Sequence, residues 1–180
     1  MSLVASKYAQ ALFDLAIEKN QLEEINSDFR TVVMILDSEE KFLELMLTPS
    51  LNTKEKKGIL IRSLDSFSNQ YIKNYLMILL DKNRFEDIFD IYEKFKRLSN
   101  EHRNLLEARV LTAIPLDETL RVALEEKMAK RFNKTVVLRN EIDKSILGGV
   151  VVYIGDQIID GSIKKQLSQM KTQVNNIRLH

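Results

Sequence analysis

The feature that most limits the possible folds is a change in apolar spacing near residue 104. Before that point, apolar residues recur every three or four positions, which is typical of amphipathic helices. The clearest stripe of this kind comprises Phe85, Ile88, Phe89, Tyr92, Phe95 and Leu98. After residue 104, short runs of branched apolar residues alternate with helical segments, which is typical of mixed structure. We therefore predict an α+β chain in which a helical domain covers 1–104 and a smaller α/β domain covers 105–180.

The first 104 residues are predicted to form a six-helix bundle. Ser2 is expected to cap the first helix, and Asn52 with Glu55 three residues later has the form of a helix start. Pro49 ends the third helix, because a residue before proline is disfavoured in the helical region. The expected helices are 3–20, 21–37, 39–47, one that begins at 52, 68–81 and 84–104.

The remaining residues are predicted to form a small α/β domain with a β-hairpin and a closing helix. Asp117 is expected to cap an internal helix over 116–132, and the last helix begins at Gly161. Strands are expected at 105–113, 135–142, 149–154 and 157–159. The residues that we assign to turns and helix caps in this region are Gly149, Gly155, Asp156, Asp160, Gly161 and Ser162.

Composition and motifs argue against catalysis. The chain has no cysteine and only two histidines, and neither histidine belongs to a metal-ligand spacing. The glycines near residue 150 lack the spacing of a phosphate-binding loop. A formal net charge of +1 argues against nucleic acid as the main partner. Since no apolar run approaches the about 20 residues that span a bilayer, membrane association would come through a partner. We expect no catalytic residue, metal or cofactor.

The first helix carries more apolar surface than one packed side requires. On a helical wheel its apolar residues cover roughly 240°, whereas a surface helix needs a stripe of about 100°. Ala9, Leu12 and Ala16 lie on one part of this arc. A second stripe on the same helix consists of Val4, Tyr8, Ala11 and Leu15.

The fifth helix shows a similar excess, over about 200° of its wheel. Two explanations remain open: either both helices are buried on two sides, or together they expose a groove for another helix. Tyr8, Tyr75 and the neighbouring Asn74 favour the groove, because tyrosine combines an apolar body with a polar tip. Ala11 is small enough to let a partner helix approach closely.

Two segments resemble a known family. Residues 6–16, SKYAQALFDLA, resemble the opening helix of ATP synthase delta subunits, which are related to the mitochondrial oligomycin-sensitivity-conferring protein. Residues 142–167, IDKSILGGVVVYIGDQIIDGSIKKQL, are similar to the most recognisable C-terminal segment of that family. The resemblance implies a non-catalytic stator subunit that joins the catalytic head of a rotary ATP synthase to its peripheral stalk. It also implies a peripheral location at the cytoplasmic face of the cell membrane, or the equivalent organelle face.

The resemblance also implies two binding sites. The first and fifth helices would bind the N-terminal helix of an alpha subunit, and Tyr8, Ala11 and Ile78 match the family's groove residues by position. The complete predicted site consists of Val4, Tyr8, Ala11, Leu15, Asn74, Tyr75 and Ile78. The second domain would bind the ends of the stalk b subunits. Candidates there are Ile163, Leu167 and Met170, which could instead pack on the strands.

Two other classes of function remain open from the sequence. The chain could be a helical adaptor that binds an amphipathic helix in another complex. It could also be a small enzyme, which would need converging polar groups around Gly148 and Asp156.

Overall fold

The computed structural model describes residues 3–64, 69–155 and 157–177. Over these residues the chain is α+β, and six helices precede the first strand. The helices are α1 (Leu3–Glu18), α2 (Leu22–Ser38), α3 (Glu40–Leu47), α4 (Thr53–Leu64), α5 (Gln70–Asp81), α6 (Ile88–His102), α7 (Glu118–Phe132) and α8 (Ile163–Ile177). The strands are β1 (Leu105–Thr112), β2 (Thr135–Ile142), β3 (Gly149–Ile154) and β4 (Gln157–Ser162). None of the helices in the described ranges is long and apolar enough to cross a membrane.

The chain divides into two compact units between Ser99 and Asn100. The division falls within α6, slightly before the position near residue 104 where the apolar spacing changes. We call the part before it the first unit and the part after it the second unit. Each unit has its own apolar core.

The core of the first unit is built around Phe29 of α2. The ring of Phe29 makes edge-on contacts with Tyr75 and Tyr92, at centroid distances of 6.0 and 5.2 Å, and a tilted contact with Phe95 at 5.8 Å. Such aromatic pairs stabilise a core beyond the area that they bury. Because α2 packs against both α1 and α5, it holds these two helices in one unit.

Side-chain caps determine where two of these helices begin. The backbone N–H of Glu55 donates to Asn52 Oδ1 at 2.9 Å, and the N–H of Asn52 donates to Glu55 Oε2 at 3.1 Å, which confirms the predicted helix start. Asn69 caps α5 by accepting the N–H of Tyr71 at 2.9 Å. The predicted cap Ser2 and the predicted start of α5 at Ser68 lie outside the described residues.

The predicted start of the sixth helix is wrong by about one turn. Residues Phe85–Asp87 form a 3₁₀ turn, and the α-helix begins only at Ile88. Phe85 is buried in the core of the first unit. The 3₁₀ turn therefore carries a core side chain, although it lies before the first residue of α6.

The second unit contains a mixed four-stranded sheet in the order β2-β1-β3-β4. Strands β1 and β2 are parallel, whereas β1–β3 and β3–β4 are antiparallel. A parallel pair needs a crossover connection, and α7 provides it and packs on β2. Asp117 caps α7 as predicted, since its Oδ1 accepts the N–H of Leu120 at 3.0 Å. The buried face of the sheet packs Ala108, Val110, Val136, Leu138, Val152 and Ile154 against Met128 of α7.

The β3–β4 hairpin follows the predicted turn. Ile154 pairs with Gln157, and Gly155 has φ +54°, a value that favours glycine. Asp156 lies outside the described residues. Strand β4 is longer than predicted, because pairing continues to Ser162 opposite Gly149. The closing helix therefore begins at Ile163 rather than at Gly161.

The two polar residues before α8 have different roles. Ser162 Oγ accepts the N–H of Lys165 at 3.3 Å, so Ser162 caps α8 as predicted. Asp160 Oδ1 accepts the backbone N–H of Ser162 at 2.9 Å, and Ser162 lies before the first residue of α8. Asp160 therefore supports the turn into α8 instead of capping it, and this backbone N–H lowers the pKa of its carboxyl group.

Candidate helix-binding site

Helix α1 is fully buried on one side and only partly buried on the other. Ala5, Ala9, Leu12 and Ala16 are buried in the core of the first unit. On the second apolar stripe, Val4, Tyr8 and Leu15 are half-buried and Ala11 is exposed. The helical wheel left two explanations open for α1: burial on two sides, or an exposed groove. Because the second stripe is not fully buried, α1 is not buried on both sides.

Helix α5 is more deeply buried than α1. Ile72, Leu76 and Leu79 are fully buried, and Tyr75 is 7% exposed. Asn74 is exposed, and Ile78 is 47% exposed although it is apolar. Six of the seven predicted groove residues therefore retain exposed area on α1 or α5, and we call them the α1–α5 surface: Val4, Tyr8, Ala11, Leu15, Asn74 and Ile78. The seventh, Tyr75, lies beneath the surface.

Tyr8 of α1 affects the ionisation of Tyr75 of α5, and hydrogen bonds join Asn69 at the start of α5 to Gln21 and to α2. Near the middle of the helices, Tyr8 is close enough to Tyr75 to influence its ionisation. Burial of the Tyr75 phenol raises its pKa, and the nearby Tyr8 raises it further. At the start of α5, the side chain of Asn69 donates to Gln21 Oε1 at 3.2 Å, and the backbone N–H of Asn69 donates to Asp28 Oδ2 at 2.7 Å. These two hydrogen bonds hold the start of α5 beside α2.

Besides Asn26 Oδ1 and Asp87 Oδ2, the Tyr75 hydroxyl is a buried side-chain polar group that lacks a hydrogen-bond partner among the described residues. Its oxygen is inaccessible to solvent and has no hydrogen-bond partner among the described residues. Buried hydroxyls in proteins are normally paired. The polar side chains at the edge of the surface are paired with each other: Gln70 donates to Asn74 at 2.9 Å, and Gln10 donates to Asp14 at 2.8 Å.

In the second unit, the predicted stalk-binding residues form an exposed stripe on α8. Ile163, Leu167 and Met170 follow one helix face and are between 43% and 59% exposed. Lys164, Lys165 and Lys171 lie on the same helix, which contains no acidic residue over its length. The stripe can therefore present apolar contacts flanked by positive charge.

Sequence reasoning missed an apolar pocket in the second unit. The pocket has a volume of about 620 Å³ and lies between the end of β1, α7 and the segment before β3. Ile114 and Leu147 on its rim are more than 70% exposed. The only signals in the sequence were an apolar residue before Pro115 and another before the glycine pair at 148–149. Its walls also include Leu116, Leu120, Leu124 and Val150.

The described residues offer little for catalysis or metal binding. Within them, no group of three His, Cys, Asp or Glu side chains is placed to hold a metal ion. The pocket beside Gly148 is lined mainly by apolar groups rather than by the converging polar groups that an enzyme would need. The carboxylate of Glu125 serves the fold, because it accepts from Arg121 at 3.1 Å and from the Leu138 N–H at 3.2 Å.

Comparison with known proteins identifies the family. The model of the family described as ATP synthase delta (OSCP) subunit matches residues 4–174. The chain belongs to this family, which confirms the resemblance seen at residues 6–16 and 142–167.

Individual relatives agree along nearly the whole chain. The ATP synthase subunit delta of Alkaliphilus metalliredigens is 38% identical over 175 residues, which cover 97% of each chain. The subunit of the same name from Acetivibrio thermocellus is 37% identical over 172 residues, with 95% of this chain and 97% of the relative covered. That of Clostridioides difficile is 36% identical over 180 residues and 98% of each chain.

A solved structure supports the fold. A chain in the cryo-EM structure of the Toxoplasma gondii mitochondrial ATP synthase hexamer matches with a TM-score of 0.75. The match covers 97% of this chain and 98% of the other at 20% sequence identity. The α+β arrangement is therefore shared with a much more distant protein.

Proposed function

We propose that this chain is a non-catalytic stator subunit of a rotary ATP synthase. It would link the catalytic head to the peripheral stalk and resist the torque that the rotor exerts on the head. The observation that carries the proposal is the family match over residues 4–174. One exposed apolar helix face on each unit supports it, because a linker needs two separate attachments.

The first unit would act as a six-helix bundle that binds the N-terminal helix of an alpha subunit at the α1–α5 surface. This surface offers the half-buried apolar stripe of α1, on which the small Ala11 is exposed, and the exposed Ile78 of α5. Four or five apolar anchors would contribute about 6–15 kcal/mol in total. Association costs of about 4–15 kcal/mol offset much of this, so the contact alone would be of moderate strength.

The second unit would bind the C-terminal ends of the stalk b subunits through α8. The exposed stripe of Ile163, Leu167 and Met170 suits an amphipathic helix with a matching apolar face. Lysines on α8 would favour a partner with acidic residues beside that face, since complementary charge guides association.

Two attachments in one assembly would hold the head more firmly than either alone. Once one contact has formed, the second becomes an intramolecular event with a high effective concentration. The chain would need no cofactor, and its partners would keep it at the cytoplasmic face of the cell membrane, or the equivalent organelle face.

Reconstitution with and without this chain tests the proposal. Membranes that carry the remaining synthase subunits should transport ions without making ATP when the chain is omitted, and purified heads should still hydrolyse ATP. Adding the full chain should restore ion-driven ATP synthesis. The matched control adds the chain with Ala11→Asp, which leaves the buried face of α1 unchanged and should restore less synthesis.

Full ATP synthesis in the absence of the chain would contradict the stator role. The adaptor function would then be supported if a tagged chain recovered a different complex in place of synthase subunits.

A further inference from the structure

The proposed stator role makes no use of the apolar pocket of the second unit. The volume of this pocket, about 620 Å³, lies within the range of small-molecule sites, which is roughly 300–1,000 Å³. Ile114 and Leu147 at its rim are 73% and 77% exposed, and Leu120 on its α7 wall is 58% exposed. The free chain therefore exposes apolar side chains around a concave site, which is typical of a surface that binds a ligand.

Hydrogen bonds hold the segments that form the pocket. After β1, the backbone N–H of Leu116 donates to Asn140 Oδ1 at 3.0 Å. At the opposite wall, the carbonyl oxygen of Gly148 accepts the N–H of Ile163 at 3.0 Å. Because these bonds are present in the free chain, the pocket is preformed, and a ligand loses less binding free energy to the ordering of loops.

One positive charge lies at the pocket. Among the described residues that line it, Lys127 of α7 is the only ionisable one. Its side chain is exposed and makes no hydrogen bond or ion pair within the described part of the chain. The hydroxyl oxygen of Thr112, which also lines the pocket, already accepts from the Asn140 side chain at 2.7 Å. The pocket therefore favours a ligand with an apolar body and a single anionic group.

We propose that this pocket binds the anion of a medium-chain fatty acid. The hydrocarbon chain packs between the apolar walls and covers Ile114, Leu120 and Leu147, and the carboxylate pairs with Lys127. Because Lys127 is exposed, the ion pair stays hydrated, and burial of the chain contributes more to the affinity than the charge does. The site lies within the second unit, so this inference does not depend on the stator role.

The first test is the dependence of affinity on the length of the fatty acid. Octanoate, decanoate and dodecanoate are titrated calorimetrically into the full chain, below the concentrations at which they form micelles. Each methylene that enters the pocket should lower the Kd about 4-fold, so decanoate should bind roughly 15-fold more tightly than octanoate. Decyltrimethylammonium has a chain of the same length and the opposite charge, and it should bind about 5-fold more weakly than decanoate.

The substitution Ala123→Phe tests whether the hydrocarbon chain enters the pocket. Ala123 is an exposed alanine that lines the pocket, so a phenylalanine there fills the space without replacing a core side chain. The Kd for decanoate should rise more than about 10-fold. Val122→Phe is the matched control, because Val122 is exposed on α7 and does not line the pocket. The control should change the Kd by less than about 2-fold.

The substitution Lys127→Glu tests the position of the carboxylate. It should raise the Kd for decanoate about 5-fold and lower the Kd for decyltrimethylammonium by a similar factor, because it reverses the charge beside the ligand's head group. Lys134→Glu makes the same charge change at an exposed lysine that does not line the pocket. This control should alter either Kd by less than about 2-fold.

Three results would overturn the proposal. If none of the three acids binds saturably, or if all three bind with the same Kd, the pocket does not hold a fatty-acid chain. If Ala123→Phe binds decanoate as tightly as the wild type does, the chain lies elsewhere. If Lys127→Glu and Lys134→Glu have equal effects, the carboxylate does not pair with Lys127. In the first case, weaker binding of a stalk b peptide by Ala123→Phe would assign the pocket to the stalk-binding surface instead.

Discussion

Four asparagines end helices by adopting a left-handed backbone conformation. Asn20, Asn83, Asn104 and Asn133 have φ values between 51° and 53°, and they follow α1, α5, α6 and α7. Asparagine tolerates this conformation better than other non-glycine residues, because its side chain can hydrogen-bond locally. Apolar spacing carries no information on this choice, so the predicted helices 3–20 and 84–104 extend too far.

Gly149 shows that close packing of two strands can require glycine. Its φ is +83°, and a Cβ atom there would lie 2.5 Å from the carbonyl oxygen of Gly161 on the paired strand. The neighbouring atom is backbone, so it cannot rotate away as a flexible side chain could. Glycine at this position therefore permits β4 to pair as far as Ser162.

We predict that Gly149→Ala lowers the free energy of unfolding by about 3 kcal/mol, through backbone strain and steric overlap. Urea denaturation followed by circular dichroism measures this change. The control is Gly58→Ala in α4, where a Cβ would meet no atom within 4 Å. This control should stabilise the chain by about 0.5–1 kcal/mol, because alanine favours helix. Equal stability of Gly149→Ala and the wild type would show that the strands separate at little cost.

Ala11 allows the α1–α5 surface to be tested without disturbing the fold. It is exposed in the free chain, so a charge introduced there remains solvated. A bound helix would remove that charge from water without pairing it.

We predict that Ala11→Asp weakens binding of the alpha N-terminal peptide by about 3 kcal/mol, or roughly 100-fold in Kd. The unfolding free energy should change by less than about 0.5 kcal/mol. Calorimetric titration of the full chain measures the Kd, and Ala123→Asp on α7, also at an exposed alanine, is the control. A variant that retained wild-type affinity would place the binding site elsewhere.

At the level of elements, α1 and α8 share one property. Each carries apolar side chains that its own unit does not fully bury: Val4, Tyr8 and Leu15 of α1 are half-buried, whereas Ile163, Leu167 and Met170 of α8 are exposed. On α1 the apolar arc is wider than a helix that serves only its own fold needs, and on α8 a narrow apolar stripe is exposed. The excess apolar surface on each helix is the physical basis for proposing two attachments.

We predict that Leu167→Glu on α8 lowers affinity for a peptide from the C-terminal end of the stalk b protein by about 100-fold, because it replaces a central apolar contact by a charge. Surface plasmon resonance with the immobilised full chain measures this affinity. Gln169→Glu makes the same charge change on another face of α8 and should alter the Kd by less than about 3-fold. If both substitutions weakened binding equally, the lysines of α8 rather than its apolar stripe would account for the contact.

At the level of the whole molecule, the division into two units matches the two proposed binding roles, one for the catalytic head and one for the stalk. Each unit has a separate apolar core, and each carries one of the two candidate binding faces. A stator subunit needs this separation, because it must stay attached to two partners at once. The family assignment carries this proposal, and the apolar side chains exposed on each unit agree with it.

The amino-acid sequence by itself determined the type and order of the helices and strands, and the family. Helical spacing, the caps at Asn52 and Asp117 and the hairpin at Gly155 are local signals, and the structure confirms them because local bonds decide them. The tertiary structure alone decided the order of the strands, the burial of Tyr75 and the pocket beside Leu147. Each of these depends on which segments of the chain pack against each other. The spacing of apolar residues predicts only on which face of its own helix or strand a side chain lies.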